Sequence, residues 1–437
     1  MDKEAIKRYI LDFQDRKLPQ IRKRELKLED SSKIQVIIGA RRVGKTYLLF
    51  NKMKELLDRG IKKEQFLYLN FENPTLYDTS FKEFKDILDT YFSLFPEVSK
   101  QRVYLFIDEP QIMKQWEVAI RSVYDDYGYP IFITGSSSKL LSKEIATSLR
   151  GRSLAYVLFP LSFREFLSFK EISFDIARLS TASKAQITHA LEEYLKFGGY
   201  PEVVGYKDET KKLQILKEYL DLTIYRDIIE RYGIKNNRLV QWLINYMMSS
   251  NTKEASINKI YFTIKSQNLK VAKDTLYEYV SLLEDAFFLS LLRKFDYSIK
   301  NEGLSIPKVY LNDVGFLNLI SLNDDGKRIE NTVFLELLRK KNNSPLMKVN
   351  YWKAVDGKKE VDFIISKGKK VVSAIQTALT LSDPITKERE VNSLVACLDY
   401  FGLKEGIIIT KNEEGKEKVK DRIITIVPLW KWLLQEN

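Results

Sequence analysis

Eight consecutive residues, Gly39-Ala40-Arg41-Arg42-Val43-Gly44-Lys45-Thr46, constrain this chain more than any others. They read G-x-x-x-x-G-K-[ST], the pattern of a loop whose backbone N–H groups wrap a phosphate chain. Such a loop must follow a strand and open a helix. The β-branched run Ile34-Gln35-Val36-Ile37-Ile38 supplies the first, and Tyr47 to Leu57 has the composition of the second. The helix would aim the positive end of its dipole at the phosphates, so Gly39 through Tyr47 form the expected nucleotide cradle. Lys45 is expected to reach the β- and γ-phosphates and Thr46 to offer its hydroxyl to Mg²⁺. Arg41 and Arg42 inside the loop face either a neighbouring subunit or solvent.

A second strand is expected at Phe66 to Glu72, then a helix around Phe81 to Phe92. After it, Val103-Tyr104-Leu105-Phe106-Ile107 runs into Asp108-Glu109. Two carboxylates at a strand end, about 60 residues beyond a phosphate loop, suit Mg²⁺ held through Asp108 and a water polarised by Glu109. The extra strand before this pair and the added glutamate point to an ATPase rather than a kinase or GTPase. The strand Pro130 to Ser138 ends in hydroxyl side chains, of which Thr134 and Ser136 are candidates to sense the γ-phosphate; an ordinary polar strand end is the alternative. Arg150 and Arg152 flank Gly151, the setting of an arginine finger, although a surface salt bridge explains them equally well. Leu154 to Phe159 would complete a five-stranded parallel sheet.

Composition narrows the rest. At 437 residues, with 44% hydrophobic and 30% charged side chains, the chain reads as several globular domains rather than a disordered segment. Its single cysteine, Cys397, and single histidine, His189, exclude an internal disulfide and a Cys/His zinc site, and disfavour a His-dependent triad. His189 lies in a polar stretch and reads as a surface residue. No long apolar run suggests a membrane span, and Met1-Asp2-Lys3-Glu4 opens a charged helix, so a cytoplasmic protein is expected. A net charge of +12 favours a polyanionic partner such as DNA. The basic connector, Arg16-Lys17 through Arg22-Lys23-Arg24, is either a solvated lead-in or a phosphate contact.

Taken in order, GARRVGKT, YLNFEN, YLFIDEPQ, FITGSSSKLLSKEIATSLRGR, LFPLSFREFL, FGGYPEVV and YRDIIERY resemble the AAA-type ATPases of the archaeal-ATPase superfamily, found in archaea and bacteria. The resemblance runs over nearly the whole chain. It implies an α/β, multi-domain fold: a P-loop NTPase parallel sheet, a helical lid, a winged helix-turn-helix and a C-terminal restriction-endonuclease-like α/β domain of unknown function. It further implies ATP at Gly44, Lys45, Thr46 and Asp108, hydrolysis through Glu109, and Arg150 or Arg152 acting as a finger across a homo-oligomer. On this reading residues 1–30 are a helix and basic connector, 31–160 the ATPase core, 161–237 the lid, 238–300 the winged helix and 301–437 the last domain.

The lid reads as the helices Phe163 to Phe169, Gln186 to Phe197 and Leu213 to Tyr232, punctuated by Phe197-Gly198-Gly199-Tyr200-Pro201. Arg226 is either a second nucleotide sensor or part of a buried ion pair. In the winged helix, Leu239 to Met248, Ser256 to Ile264 and Val271 to Leu283 are helical, with Phe287 to Phe295 providing wing strands. No carboxylate lies between Ala255 and Lys273, whereas Lys259, Lys265, Lys270 and Lys273 do. With Lys273, Thr275 and Tyr277 expected to face outward, these are candidate DNA contacts; a protein-binding winged helix is the alternative. In the last domain Glu336, Asp362 and Gln376 match the acidic pattern of restriction-endonuclease-like folds. Ala378 stands where that pattern has a lysine, so a binding-only domain is favoured unless Lys353 or Lys370 substitutes. The leading expectation is a Mg²⁺-dependent ATPase acting on DNA. A slow ATP-dependent signalling switch and an ATP-controlled nuclease are the alternatives.

Overall fold

The computed structural model describes residues 2–435 except Asp78, 137–148, Arg150, 268–270 and 321–323, and gives Ala177 by its backbone alone. The chain is an α/β protein of two compact units, Met1–Phe159 and Pro160–Asn437.

The first unit opens with α1 (Lys3–Asp15), capped by the Asp2 side chain on the Glu4 N–H. Five parallel strands follow: β1 (Ile34–Ile38), β2 (Phe66–Asn70), β3 (Tyr104–Asp108), β4 (Ile131–Gly135) and β5 (Ser153–Val157). Their order is β2-β3-β4-β1-β5. Among the described residues three helices connect them: α2 (Lys45–Asp58), α3 (Phe81–Leu94) and α4 (Trp116–Tyr127). Every residue of β1, β3 and β4 is buried, as expected of inner strands covered on both faces. The phosphate-loop strand and the acidic strand are therefore not neighbours, because β4 lies between them. Asp108 is level with Thr134, and Thr134 with Ile37. The C-terminal ends of β1, β3 and β4 thus meet at one edge, where an open parallel sheet places its ligands.

In the second unit, α5 (Phe163–Phe169), α6 (Thr181–Phe197), α7 (Pro201–Gly205) and α8 (Glu209–Leu222) come first. α8 continues into a π-helical stretch, Thr223–Glu230, inside the segment expected to be a plain helix. α9 (Asn237–Ser249), α10 (Ile257–Ser266) and α11 (Lys273–Asp285) precede β6 (Leu289–Leu292). The expected wing is corrected here: Phe287 to Phe295 forms no hairpin of its own. β6 pairs antiparallel with β7 (Lys308–Leu311), and α12 (Ile299–Leu304) lies between them. The chain returns to β6 only after an insertion, which local periodicity does not reveal.

The remainder is α13 (Asp325–Asn342) and a six-stranded mixed sheet: β8 (Met347–Lys353), β9 (Glu360–Lys367), β10 (Lys370–Thr377), β11 (Glu405–Thr410), β12 (Gly415–Val419) and β13 (Arg422–Pro428). α14 (Pro384–Phe401) links β10 to β11, and α15 (Leu429–Leu434) ends the chain. The sheet order is β12-β13-β11-β10-β9-β8. Side chains alternate between its faces. Phe363, Ile375 and Ile409 enter one core with Phe163, Phe166, Ile187 and Tyr194, so helices α5 and α6 share a core with this sheet. Ile364, Ala374 and Ile408 enter a second core under α14, with Leu394 and Leu398.

Candidate functional site

Gly39 and Gly44 allow the loop after β1 its path. A Cβ on Gly39 would stand 2.2 Å from the Leu158 carbonyl oxygen. Gly44, which opens α2, has φ 97° and ψ 27°, left-handed values that cost other residues about 1–2 kcal/mol. Arg42 is also left-handed, at φ 65°. Arg24 braces the loop from outside the motif: its guanidinium donates to the Val43 carbonyl at 2.7 Å and to the Phe159 carbonyl at 2.8 Å. Of the two readings of the basic connector, Arg24 thus has a third role, tying the phosphate loop to the end of β5. Sequence reasoning missed it because a partner 19 residues away leaves no periodic signal.

The Lys45 ammonium is buried. It donates to the carbonyls of Gly39 and Ala40, both at 3.1 Å, and lies 3.5 Å from Glu109 Oε1. Thr46 donates its hydroxyl to Asp108 Oδ2 at 2.7 Å. Asp108 also accepts the Thr134 hydroxyl on Oδ1 and the Tyr68 hydroxyl on Oδ2, the latter at 3.2 Å. Tyr68, on β2 beside Asp108, was not singled out in the sequence. The register sets Asn70 level with Asp108, and Tyr68, two residues earlier on β2, lies on the same face of the sheet as Asn70. Glu109 adopts left-handed φ 53°, ψ 48°, which turns its carboxylate back under the strand ends. There it accepts the Ser136 backbone N–H at 3.1 Å and the Gln111 side-chain amide.

Two adjacent carboxylates therefore sit in opposite electrostatic settings. Burial raises the Asp108 carboxyl above its ordinary range, and the negative charge of Glu109 adds to this against the Thr134 and Thr46 hydrogen bonds. Burial acts on Glu109 too, but Lys45 first, then Gln111, Arg41 and Ser136, outweigh it and hold Glu109 below its ordinary value. An ionised glutamate beside a buried ammonium is suited to taking a proton from water. Thr46 and Asp108 form a hard oxygen pair at a helix N-terminus, a donor set that suits Mg²⁺.

The other expected residues fall out as follows. Ser136 acts through its backbone N–H, while Thr134 brings its hydroxyl to Asp108. Arg41 pairs with Glu72 at 3.2 Å. Tyr47 is exposed at 53%. Arg152 immediately precedes β5 at the N-terminal edge of the sheet, with Ser153 level with Ile34, a strand length from the phosphate loop. Its guanidinium pairs with Asp125 at 2.7 Å. Arg150 lies outside the described residues. Arg226 is an exposed residue of the π-helical stretch, next to buried Asp227. His189 is exposed, as expected, and Cys397 is a buried free thiol. Among the candidate DNA contacts, Lys259, Lys265, Lys273 and Tyr277 are exposed. Thr275 is half-buried, because two residues along a helix turn about 200° away from Lys273. Lys270 lies outside the described residues.

The acidic pattern of the last domain needs a larger correction. Asp362 and Gln376 are adjacent, with Gln376 accepting the Asp362 N–H at 3.1 Å and donating to Glu390. Glu336 instead pairs with Arg339 at 3.2 Å. The α13 carboxylate that shares a partner with Asp362 is Glu330. The Lys308 ammonium, from β7, stands 2.7 Å from Glu360, 3.2 Å from Asp362 and 3.3 Å from Glu330. Tyr310 donates to Glu330 at 2.7 Å, and Asp362 accepts the Thr377 N–H and hydroxyl. Neither lysine considered as a substitute takes this place. Lys353 pairs with Glu254 at 2.9 Å and Glu360 at 3.4 Å, and Lys370 is an exposed residue at the start of β10. Among the described residues no group of three or more His, Cys, Asp and Glu side chains is arranged to hold a metal ion. Lys308 was not identifiable beforehand, because it lies 54 residues from Asp362 in a strand defined by its pairing with β6.

Comparison with known proteins agrees with the architecture. Residues 31–167 match the family described as an AAA domain, and residues 188–326 and 325–432 match two domains of unknown function. An uncharacterized protein of Methanocaldococcus jannaschii is 40% identical over 419 residues, covering 92% of this chain and 88% of that protein. One from Haemophilus influenzae is 30% identical over 416 residues, covering 94% and 96%. Among solved structures, the Aeropyrum pernix Orc1 protein in complex with DNA aligns with 66% of this chain and 86% of its own, at 14% identity and a TM-score of 0.30, too low to carry an argument. Among the described residues no helix is long and apolar enough to cross a membrane.

Proposed function

The chain belongs to the AAA-type P-loop ATPases that carry two C-terminal domains of unknown function, and from that premise we propose that it is a Mg²⁺-dependent ATP hydrolase that works on DNA as a homo-oligomer. One observation carries this reading: Lys45, Thr46, Asp108 and Glu109 converge at the C-terminal edge of the first sheet, joined by Thr134 from the strand between.

The roles follow from the contacts. The Lys45 ammonium rests on two neutral carbonyls, so it can turn to the β- and γ-phosphate oxygens of ATP at the cost of two ordinary hydrogen bonds. Thr46 and Asp108 would hold Mg²⁺, which supplies charge neutralisation on the phosphates when bound. Thr134 and Tyr68 fix the Asp108 carboxylate, each with a hydroxyl donor. Glu109, kept ionised and oriented by Ser136 and Gln111, would accept the proton of the attacking water. A finger on a neighbouring subunit would come from Arg150 or Arg152, and the Arg152 pairing with Asp125 would have to open first.

DNA as the partner rests on the net charge of +12 and on the lysines of α10 and α11. For the last domain we assign a structural rather than nuclease role, because an ammonium already stands between its carboxylates.

ATP turnover with and without DNA tests the proposal on wild type, Lys45→Ala and Glu109→Gln. Activity should vanish in Lys45→Ala and fall about 10²-fold or more in Glu109→Gln, with ATP still bound. Equal turnover in wild type and Glu109→Gln would remove Glu109 from the reaction. Gel filtration with an ATP analogue that yields only monomer would remove the finger in trans.

A further inference from the structure

The exposed face of α10 is unusual in what stands at its centre. Phe262 is 62% exposed, although a phenylalanine there gains nothing from the core. Its neighbours three residues to either side on the helix are Lys259 and Lys265, both exposed. The Lys273 ammonium, at the start of α11, lies 5.8 Å from the Phe262 ring centre and 5.2 Å from that of Tyr261. The Tyr261 and Phe262 rings meet edge to face at 5.5 Å. One turn along α11 from Lys273, Tyr277 is 57% exposed. No carboxylate occurs from residue 256 to 272, and the two acids in the first half of α11, Asp274 and Glu278, follow Lys273 and Tyr277 by one position, about 100° around the helix.

This surface has the chemistry of a stacking platform. A helix that reads a duplex groove presents polar side chains to base edges. Here two aromatic rings are presented among ammonium groups, the combination that holds unpaired bases by their faces and the backbone by its charge.

We propose that the α10–α11 face binds unpaired, single-stranded nucleic acid, with bases stacking on Phe262 and Tyr277 and phosphates neutralised by Lys259, Lys265 and Lys273. This rests on the reading of DNA as the partner and narrows it to a strand whose bases are exposed.

Fluorescence anisotropy of the full chain with a labelled oligothymidylate and with a labelled duplex of equal length tests it. The single strand should bind more tightly, and Phe262→Ala should weaken it roughly tenfold while leaving its salt dependence unchanged. Phe262→Trp should restore the affinity. Lys265→Ala and Lys273→Ala should each flatten the slope of log affinity against log salt by nearly one. ATP turnover without DNA should be the same in all these variants, which checks that they are folded. Duplex preferred over single strand, or tight binding unaltered in Phe262→Ala, would overturn the stacking platform and leave DNA binding standing. Failure of wild type to bind either oligonucleotide at low salt, with poly-glutamate or a second copy of the chain bound through Phe262 instead, would overturn both readings.

Discussion

Lysine meets carboxylate in the interior of both units, and the two meetings differ in what else the ammonium touches. Lys45 is 3.5 Å from Glu109 but donates to two carbonyls of its own loop. Lys308 is within 3.3 Å of three carboxylates from β9 and α13. The first arrangement is easily exchanged, since neutral carbonyls give way to phosphate oxygens of higher charge. The second is closed, since no incoming cation offers the carboxylates more than the ammonium without first expelling it. Acidic residues that fit an expected pattern in the sequence therefore do not by themselves make a site. The glycine loop beside the first cluster, and the lysine inside the second, set them apart.

Removing the ammonium from the closed cluster should have the largest effect. Lys308→Met leaves three carboxylates without their counter-charge and should destabilise the second unit by about 3–5 kcal/mol in urea unfolding. Adding Glu330→Gln to it should recover part of the loss, because burial already pushes Glu330 up to about 7 and its charged form is the costly one. A stable Lys308→Met single variant would show that the cluster is more hydrated than its burial indicates.

In the exchangeable cluster the expected cost falls on rate. Glu109→Gln should lower ATP turnover about 10²-fold or more, with the unfolding midpoint changed little, because the amide keeps an acceptor for the Ser136 N–H. A large loss of stability with unchanged turnover would make Glu109 resemble the closed cluster after all.

A half-buried carboxyl on which desolvation outweighs the attraction of Arg293 gives an intermediate case. Glu284 accepts the Leu291 N–H at 3.1 Å, and burial pushes it up to about 7 from an ordinary 4.5. Its folded form holds the proton more tightly than its unfolded form. Its contribution is therefore fully present below about 4.5 and is lost as pH rises through about 7. Comparing wild type with Glu284→Gln from pH 4.5 to 8 should reveal a stability difference that moves against wild type by up to about 3 kcal/mol. A flat difference would place Glu284 in contact with water or a cation.

The smallest effect belongs to the exposed pair. Arg152→Ala breaks a partly solvated contact with Asp125 and should cost less than about 1 kcal/mol. If it abolishes turnover while stability holds, Arg152 serves a neighbouring subunit's nucleotide. If turnover is unchanged, Arg150 is the remaining candidate.

What was legible in advance follows a physical rule. The phosphate loop, the Asp108-Glu109 pair and the five parallel strands were readable because each is local: Gly39 leaves no room for a Cβ and Gly44 takes a left-handed backbone, and buried parallel strands read as apolar runs. Thr134 and Tyr68 on Asp108, Arg24 on the loop carbonyl and Lys308 among Glu330, Glu360 and Asp362 were not. Those contacts join residues between 19 and 54 positions apart in the cases of Arg24 and Lys308. Register misled as well. Glu336 looked right by composition, yet Glu330, nearly two turns earlier on α13, shares Lys308 with Asp362. The sequence by itself thus determined that a nucleotide-phosphate loop exists and that an acidic strand end accompanies it, because backbone sterics and burial act on neighbouring residues. Only the tertiary structure decided which carboxylates are open and which are closed, because that depends on charges brought together by strand order rather than by chain order.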